Sequence, residues 1–115
     1  MQQLLIQLIK ATSIFILFFG IISNPIALAV NIDNGAKIFN SQCAGCHLNG
    51  GNIIRRGKNL KLRALKRYKM DSVDGITNIV KSGKNNMSAY KDKLTSEEIL
   101  DVATYVLQQA ENNWK

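Results

Sequence analysis

The sequence predicts an all-α fold for residues 30–115. A capping box, Thr95-Ser96-Glu97-Glu98, begins an apolar stripe at helical spacing, and Ser72 precedes a second such stripe. In addition, no stretch alternates apolar and polar residues convincingly at period two, which is the pattern typical of half-buried strands. We therefore expect a single helical domain, with no internal repeat and no second domain.

The first helix of this domain is predicted to begin after Asn31, a reasonable N-cap, and to end near Asn40. Its apolar face would consist of Ile32, Gly35 and Phe39. Glycine in a helix costs about 1 kcal/mol of stability relative to alanine, so a glycine at position 35 indicates a structural requirement for a residue without a side chain. We expect the last helix to cross at this point, bringing Val102 or Tyr105 close to Gly35.

Three more helices follow from the same reasoning. A turn at residues 49–52 and a loop over 53–58 precede a short helix, whose apolar residues are Leu60, Ala64 and Leu65. The Ser72-capped helix carries Val73, Ile76 and Val80 and ends at Gly83. The last helix follows Thr95, and its stripe is formed by Ile99, Val102, Ala103, Val106, Leu107 and Ala110.

Both cysteines and the only histidine of the chain lie in one run, Cys43-Ala44-Gly45-Cys46-His47. A Cys-x-x-Cys-His run is the attachment signature of a c-type haem. Two thiols three positions apart on one turn can each form a thioether with a porphyrin vinyl group, and the next residue projects its imidazole toward the iron. We therefore expect Cys43 and Cys46 to tether one haem and His47 to be an axial iron ligand.

Other interpretations of this motif are weaker. A structural zinc site normally needs four Cys or His ligands, and the chain has three. A thioredoxin-like Cys-x-x-Cys pair belongs to a βαβ pattern, which is not found here. A disulfide between Cys43 and Cys46 would close a very small loop and would leave His47 without a role.

The sixth position of the iron can be taken by a methionine, a lysine or a tyrosine, or it can stay open. A second histidine within the chain is excluded. After residue 29 the methionines are Met70, at the predicted start of a helix, and Met87, in a loop between two helices. Loop placement favours Met87. His/Met ligation would raise the reduction potential and leave only electron exchange, whereas an open site would indicate a ligand-binding haem protein or enzyme.

Residues 1–29 are expected to be a cleaved signal peptide. Lys10 precedes an apolar run at 14–22, a polar break follows at 23–25, and Ala27-Leu28-Ala29 fits an A-x-A cleavage site. The apolar run is shorter than the roughly 20 residues that a bilayer span needs. We expect a mature chain, residues 30–115, that functions outside the cytoplasm, where thioether cytochromes are assembled.

The chain is basic, with 15 Lys and Arg against 8 Asp and Glu, and all of these charges except Lys10 lie after residue 29. Basic residues are concentrated between Arg55 and Lys84. A small basic carrier is steered toward acidic partners in a salt-dependent way. A nucleic-acid partner is not expected, because the chain is exported and has no recognised binding motif.

These residues resemble class I cytochromes c, and most closely the cytochrome c6 family of algae and cyanobacteria. The resemblance covers essentially the whole of residues 30–115. It rests on the opening helix Asn34–Phe39, the Cys43–His47 motif, the loop Gly83–Met87, the segment Ala103–Leu107 and the near-terminal Trp114.

The resemblance implies a class I cytochrome c fold, about four helices around one covalently bound haem c (iron protoporphyrin IX), with Met87 as the second axial ligand. It implies a monomeric, soluble carrier in the thylakoid lumen of a plastid or cyanobacterium. Electrons would come from cytochrome f of the cytochrome b6f complex and pass to photosystem I, in place of plastocyanin. Lys58 lies where relatives often carry a lysine near the haem propionates.

Two positions depart from the family pattern. Ser88 follows Met87 where the family usually has proline, which predicts a looser ligand loop. Ile79 stands where many relatives have a glutamine near the haem, which predicts a change in haem polarity and in reduction potential.

Overall fold

The computed structural model describes residues 1–19 and 28–115, with side chains for 1–12 and 28–115. Its α-helices are α1 (Gln2–Phe19), α2 (Ile32–Ile38), α3 (Ala44–His47), α4 (Leu62–Arg67), α5 (Val73–Ser82) and α6 (Ser96–Glu111). A π-helical turn, Phe39–Cys43, joins α2 to α3, and a 3-10 turn, Leu48–Gly50, follows α3. The described residues contain no strand and only one isolated bridge, between Lys84 and Met87. The all-α prediction is confirmed.

Helix α2 begins where the sequence predicts. The Asn31 side chain accepts a hydrogen bond from the Asn34 N–H at 3.0 Å, as an N-cap does. The α-helix ends at Ile38 rather than near Asn40, because the backbone widens into the π-helical turn at Phe39. This turn continues without a break into α3, so the attachment motif extends directly from the end of α2.

The crossing predicted between the first and last helices of residues 30–115, which are α2 and α6, is confirmed at Gly35. A Cβ added to Gly35 would contact the carbonyl oxygen of Asp101 and would lie 2.7 Å from its carbonyl carbon and 3.0 Å from the Tyr105 Cβ. Tyr105 was expected there, whereas the nearest atoms belong to the Asp101 backbone rather than to Val102. Only glycine lets α2 and α6 approach this closely.

Asp101 was not anticipated from the sequence. Its carboxylate is buried, 7% exposed, on a helix face that is otherwise apolar. One oxygen accepts from the Asn31 N–H at 2.8 Å and the other from the Asn34 Nδ2 at 2.9 Å. The carboxylate therefore stabilises the N-terminus of α2, where unpaired N–H groups and the helix dipole favour a negative charge.

The caps predicted for the other two long helices are confirmed. The Ser72 hydroxyl accepts from the Gly75 N–H, and Thr95 and Glu98 form the reciprocal capping box of α6. The short helix predicted around Leu60–Leu65 is α4, which begins two residues later, at Leu62. The buried core is formed by Ile38, Phe39, Leu65, Ile76, Val80, Ile99, Val102, Ala103, Val106 and Ala110.

The C-terminal tail packs against the π-helical turn and the segment that follows α3. The Trp114 ring lies 5.1 Å from the Phe39 ring, centroid to centroid, and its Nε1 donates to the Leu60 carbonyl at 3.0 Å. Gly50, with φ 74°, lies directly beneath the indole, and a Cβ there would collide with it. The tail thereby fixes the end of the attachment segment.

In the part of the chain that is described, no helix combines the length and the apolar character that a membrane crossing requires. The polar break predicted at residues 23–25, and Ala27 of the predicted cleavage site, lie outside the described residues. The boundary between 1–29 and 30–115 therefore stays a prediction.

Candidate haem site

One cavity of about 310 Å³ brings the predicted site residues together. Cys43, Cys46, His47, Lys58 and Met87 all line it. They come from the π-helical turn, from α3 and from the two loops that follow α3 and α5. Residues 40 positions or more apart in the sequence thus face a single space.

Cys43 ends the π-helical turn and Cys46 lies in α3, so the two thiols share one continuous helical segment. Both are free thiols; Cys43 is half-buried and Cys46 is exposed. Burial, and then the neighbouring Cys46, raise the pKa of the Cys43 thiol from 9.0 to about 11. Cys43 therefore stays a neutral thiol at pH 7 until it is covalently modified.

The imidazole of His47 is held in one orientation by the turn that follows it. Its Nδ1 lies 2.8 Å from the carbonyl oxygen of Gly51. Because a carbonyl oxygen only accepts, Nδ1 carries the proton, which leaves the Nε2 lone pair available to a metal. This tautomer is the one that a neutral axial histidine needs.

Met87 lies at the end of a tight turn. The Lys84 N–H donates to the Met87 carbonyl and the Met87 N–H donates to the Lys84 carbonyl, both at 3.0 Å. The turn needs left-handed backbone at Asn85, φ 53°, and it follows Gly83, φ 65°. Met70, predicted to lie at the start of a helix, is in the loop before α5, where it packs against the core and also lines the cavity. The two methionines are therefore the available thioethers.

The cavity walls are largely core side chains, so the core and the site are continuous. Its apolar wall is formed by Phe39, Ile54, Leu60, Ala64, Leu65, Ile76, Ile79, Val80, Val102 and Val106. Ile79, expected near the haem, is among them. In a domain of this size, an empty apolar cavity would leave core side chains without packing partners, and a largely apolar bound group would supply them.

Two tyrosines line the cavity that sequence reasoning did not assign. The Tyr90 hydroxyl donates to the Gln42 carbonyl at 3.0 Å, and burial first, then Cys43 and Cys46, raise the pKa of Tyr90. Tyr68 lies beneath Lys58, whose Nζ is 5.3 Å from the ring centroid. For Tyr90, the sequence did offer a signal: it lies three residues after Met87, close enough to belong to the same site.

The donor set fits a covalently attached haem better than a bare ion. Two thiols stand on one turn, an imidazole presents a free Nε2, thioethers face the same space, and the remaining wall is apolar. Lys58, Arg55 and Lys84 line the cavity as exposed cations, which suits the carboxylates of a porphyrin.

Comparisons with known proteins identify the family of the chain. The family model described as cytochrome c oxidase, cbb3-type, subunit III, matches residues 30–106. The cytochrome c6-like protein of Nostoc sp. strain PCC 7120 is 54% identical over 109 residues, which cover 95% of this chain and 98% of that relative. Cytochrome c6 of Thermosynechococcus vestitus is 49% identical over 90 residues, or 78% of this chain and 80% of that relative.

Solved structures give the same result. Cytochrome c6C from Synechococcus sp. PCC 7002 is 62% identical with a TM-score of 0.68, covering 70% of this chain and 98% of that one. Cytochrome c6B from Synechococcus sp. WH8102 is 50% identical with a TM-score of 0.70, covering 74% and 97%. The class I cytochrome c fold is thereby confirmed. The chain belongs to the cytochrome c6 family, and with it to the c-type cytochromes that carry electrons on a covalently bound haem c.

Proposed function

We propose that the chain is a photosynthetic electron carrier, which accepts electrons from cytochrome f of the cytochrome b6f complex and delivers them to photosystem I. The cavity shared by Cys43, Cys46, His47 and Met87 supports one-electron chemistry on a haem. The observation that supports the photosynthetic partners most directly is the similarity to cytochromes c6. When bound, the haem iron supplies reversible one-electron transfer.

Each of the motif residues has a distinct role in this proposal. Cys43 and Cys46 would hold the porphyrin by thioethers, and His47 would bind the iron through Nε2, because its Nδ1 is engaged by the Gly51 carbonyl. The hydrogen bond from Nδ1 to the Gly51 carbonyl fixes the ring orientation and would increase the basicity of Nε2 toward the iron.

In this proposal Met87 would supply the second protein ligand of the iron. A thioether favours ferrous over ferric iron, so Met87 and the apolar wall together give a raised reduction potential. With His47 and Met87 both bound, the site has no position for a substrate. We therefore infer that the protein is a carrier and not an enzyme.

Lys58 and the basic surface around it serve recognition. The Lys58 ammonium, held over the Tyr68 ring at the cavity wall, would pair with a haem propionate. The eight basic side chains between Arg55 and Lys69 are all exposed. This surface is expected to dock acidic patches on both redox partners, with on-rates that fall as salt rises.

The proposed location is the thylakoid lumen of a plastid or cyanobacterium, reached after removal of residues 1–29. The mature chain would be a monomer with no stable membrane insertion and no nucleic-acid partner. Amino-terminal sequencing of the purified holoprotein tests the processing step. A start near Val30 is expected, and a start well upstream would contradict it.

Flash-induced electron transfer to isolated photosystem I tests the main proposal. The reduced holoprotein should re-reduce the photo-oxidised reaction centre, with a rate that depends on both protein concentration and ionic strength. If no transfer occurs at either low or high salt, the photosynthetic role is wrong, although the haem assignment is unaffected.

One comparison favours a second candidate, a respiratory or other bacterial class I cytochrome c. The description of the matching family model names a subunit of a cbb3-type cytochrome c oxidase. Such a carrier would share the haem chemistry but not the partners. Rapid oxidation by a terminal oxidase, together with no transfer to photosystem I, would establish this candidate instead.

A further inference from the structure

We propose that Tyr90 is a positioning residue for Met87, and that its hydroxyl bond to Gln42 holds the ligand loop in place across the cavity. This inference rests on the proposed role of Met87 as an iron ligand. Two features of the structure carry it: the loop behaves as one unit, and Tyr90 joins that unit to the attachment turn.

The loop from Gly83 to Met87 has a shape of its own. Two reciprocal backbone hydrogen bonds close the Lys84–Met87 turn at 3.0 Å. At Gly83, a Cβ would lie 2.7 Å from the Ala89 nitrogen and 2.8 Å from the Ser88 carbonyl carbon, so the chain after Met87 folds back against the glycine. The loop is therefore internally braced, and its place in the cavity depends on how it is attached to the rest of the domain.

Tyr90 supplies this attachment at two points. Its N–H donates to the Val80 carbonyl at 2.9 Å, which ties the loop exit to α5. Its hydroxyl donates to the Gln42 carbonyl at 3.0 Å, across 48 positions of sequence. Gln42 directly precedes Cys43, and Gln42, Tyr90 and Met87 all line the cavity. The hydroxyl thus links the loop that carries Met87 to the turn that carries the first thioether.

The link from Tyr90 to Gln42 matters because Ser88, the residue after Met87, restrains the loop only weakly. Ser88 does not fix its φ as a proline would, so the backbone beyond Met87 keeps more conformational freedom. The Tyr90 hydroxyl restrains the loop two residues further on. Without it, the Met87 sulfur would leave the iron more often, and an external ligand would compete more effectively.

Imidazole titration of the oxidised holoprotein measures this competition, because imidazole binds ferric iron only after the methionine has left. The readout is the loss of the far-red absorption band of a methionine–iron bond. Tyr90→Phe removes one hydroxyl and keeps the ring, and it should tighten apparent imidazole binding about fivefold, the effect of losing one ordinary hydrogen bond. Tyr105→Phe is the matched control, since Tyr105 does not line the cavity.

Guanidinium unfolding of the same proteins separates positioning from general stability. The proposal is supported when imidazole affinity rises in Tyr90→Phe by more than in Tyr105→Phe. It is overturned when both variants have wild-type imidazole affinity, even if Tyr90→Phe unfolds earlier. If the wild-type protein lacks the far-red band, the ligand role of Met87 fails, and the inference fails with it.

Discussion

The crossing of α2 and α6 should depend sharply on Gly35. In Gly35→Ala, the new Cβ would contact the Asp101 carbonyl oxygen and lie 2.7 Å from its carbon, whereas comfortable carbon–carbon contacts are about 3.5–4.0 Å. Both atoms belong to the backbone of α6, so no side-chain rotation relieves the overlap. The helices must separate, which also stretches the two hydrogen bonds that Asp101 accepts from Asn31 and Asn34.

The expected magnitude follows from three terms. Overpacking costs about 3 kcal/mol at the upper end of its usual range, and weakened hydrogen bonds cost about 1 kcal/mol. Alanine returns about 1 kcal/mol through its better helix propensity. The net loss is about 3 kcal/mol, which corresponds to a Tm lower by roughly 15 °C in a domain of this size.

Guanidinium unfolding of the holoprotein, followed by far-ultraviolet circular dichroism, measures this loss. Gly57→Ala is the matched control, because no atom lies within 4 Å of its added Cβ and its φ is not left-handed. We expect the control to stay within about 0.5 kcal/mol of wild type. The reasoning is refuted if Gly35→Ala is as stable as Gly57→Ala.

Three further predictions concern charge and polarity. Asp101→Asn should lower the free energy of unfolding by about 1–2 kcal/mol, because the amide NH2 would face either the Asn31 N–H or the Asn34 Nδ2, both of which now donate to the carboxylate. A urea unfolding curve identical to that of the wild type would contradict this. Ile79→Gln should raise the midpoint potential by about 40 mV, the equivalent of one hydrogen bond of about 1 kcal/mol to the electron-rich reduced haem. Redox titration measures this shift, and Ile79→Val is the control whose midpoint potential should stay at the wild-type value. The second-order rate with photosystem I should fall as ionic strength rises, and Lys58→Gln should flatten that dependence; kinetics indifferent to salt would exclude electrostatic docking by this surface.

Local chemistry was predictable from the sequence. The caps at Asn31, Ser72 and Thr95 were identified because each depends on one side chain and an N–H three residues away. The crossing at Gly35 was predictable because a glycine on a helix face is costly without a close neighbour. The Cys43–His47 motif carries its own chemistry and needed no tertiary context.

Features set by tertiary contacts were not predictable in the same way. The burial of Asp101 depends on the start of α2, 67 to 70 positions earlier, and nothing in the α6 pattern reveals it. The Tyr90–Gln42 hydrogen bond likewise joins distant segments. Tyr90 lies in a loop, where no repeating sequence pattern indicates which residue its side chain contacts. The π-helical turn at Phe39–Cys43 looked like ordinary helix, because the sequence pattern does not distinguish a wider winding.

In the proposed holoprotein, His47 and Met87 occupy both axial positions of one haem. The far-red absorption band of the oxidised holoprotein tests it most directly, measured in wild type, Met87→Ala and Met70→Leu. Both methionines line the cavity, so the pair of variants separates them. We expect the band in wild type and in Met70→Leu and its loss in Met87→Ala. A wild-type spectrum without the band, or a band that survives in Met87→Ala, would contradict the claim.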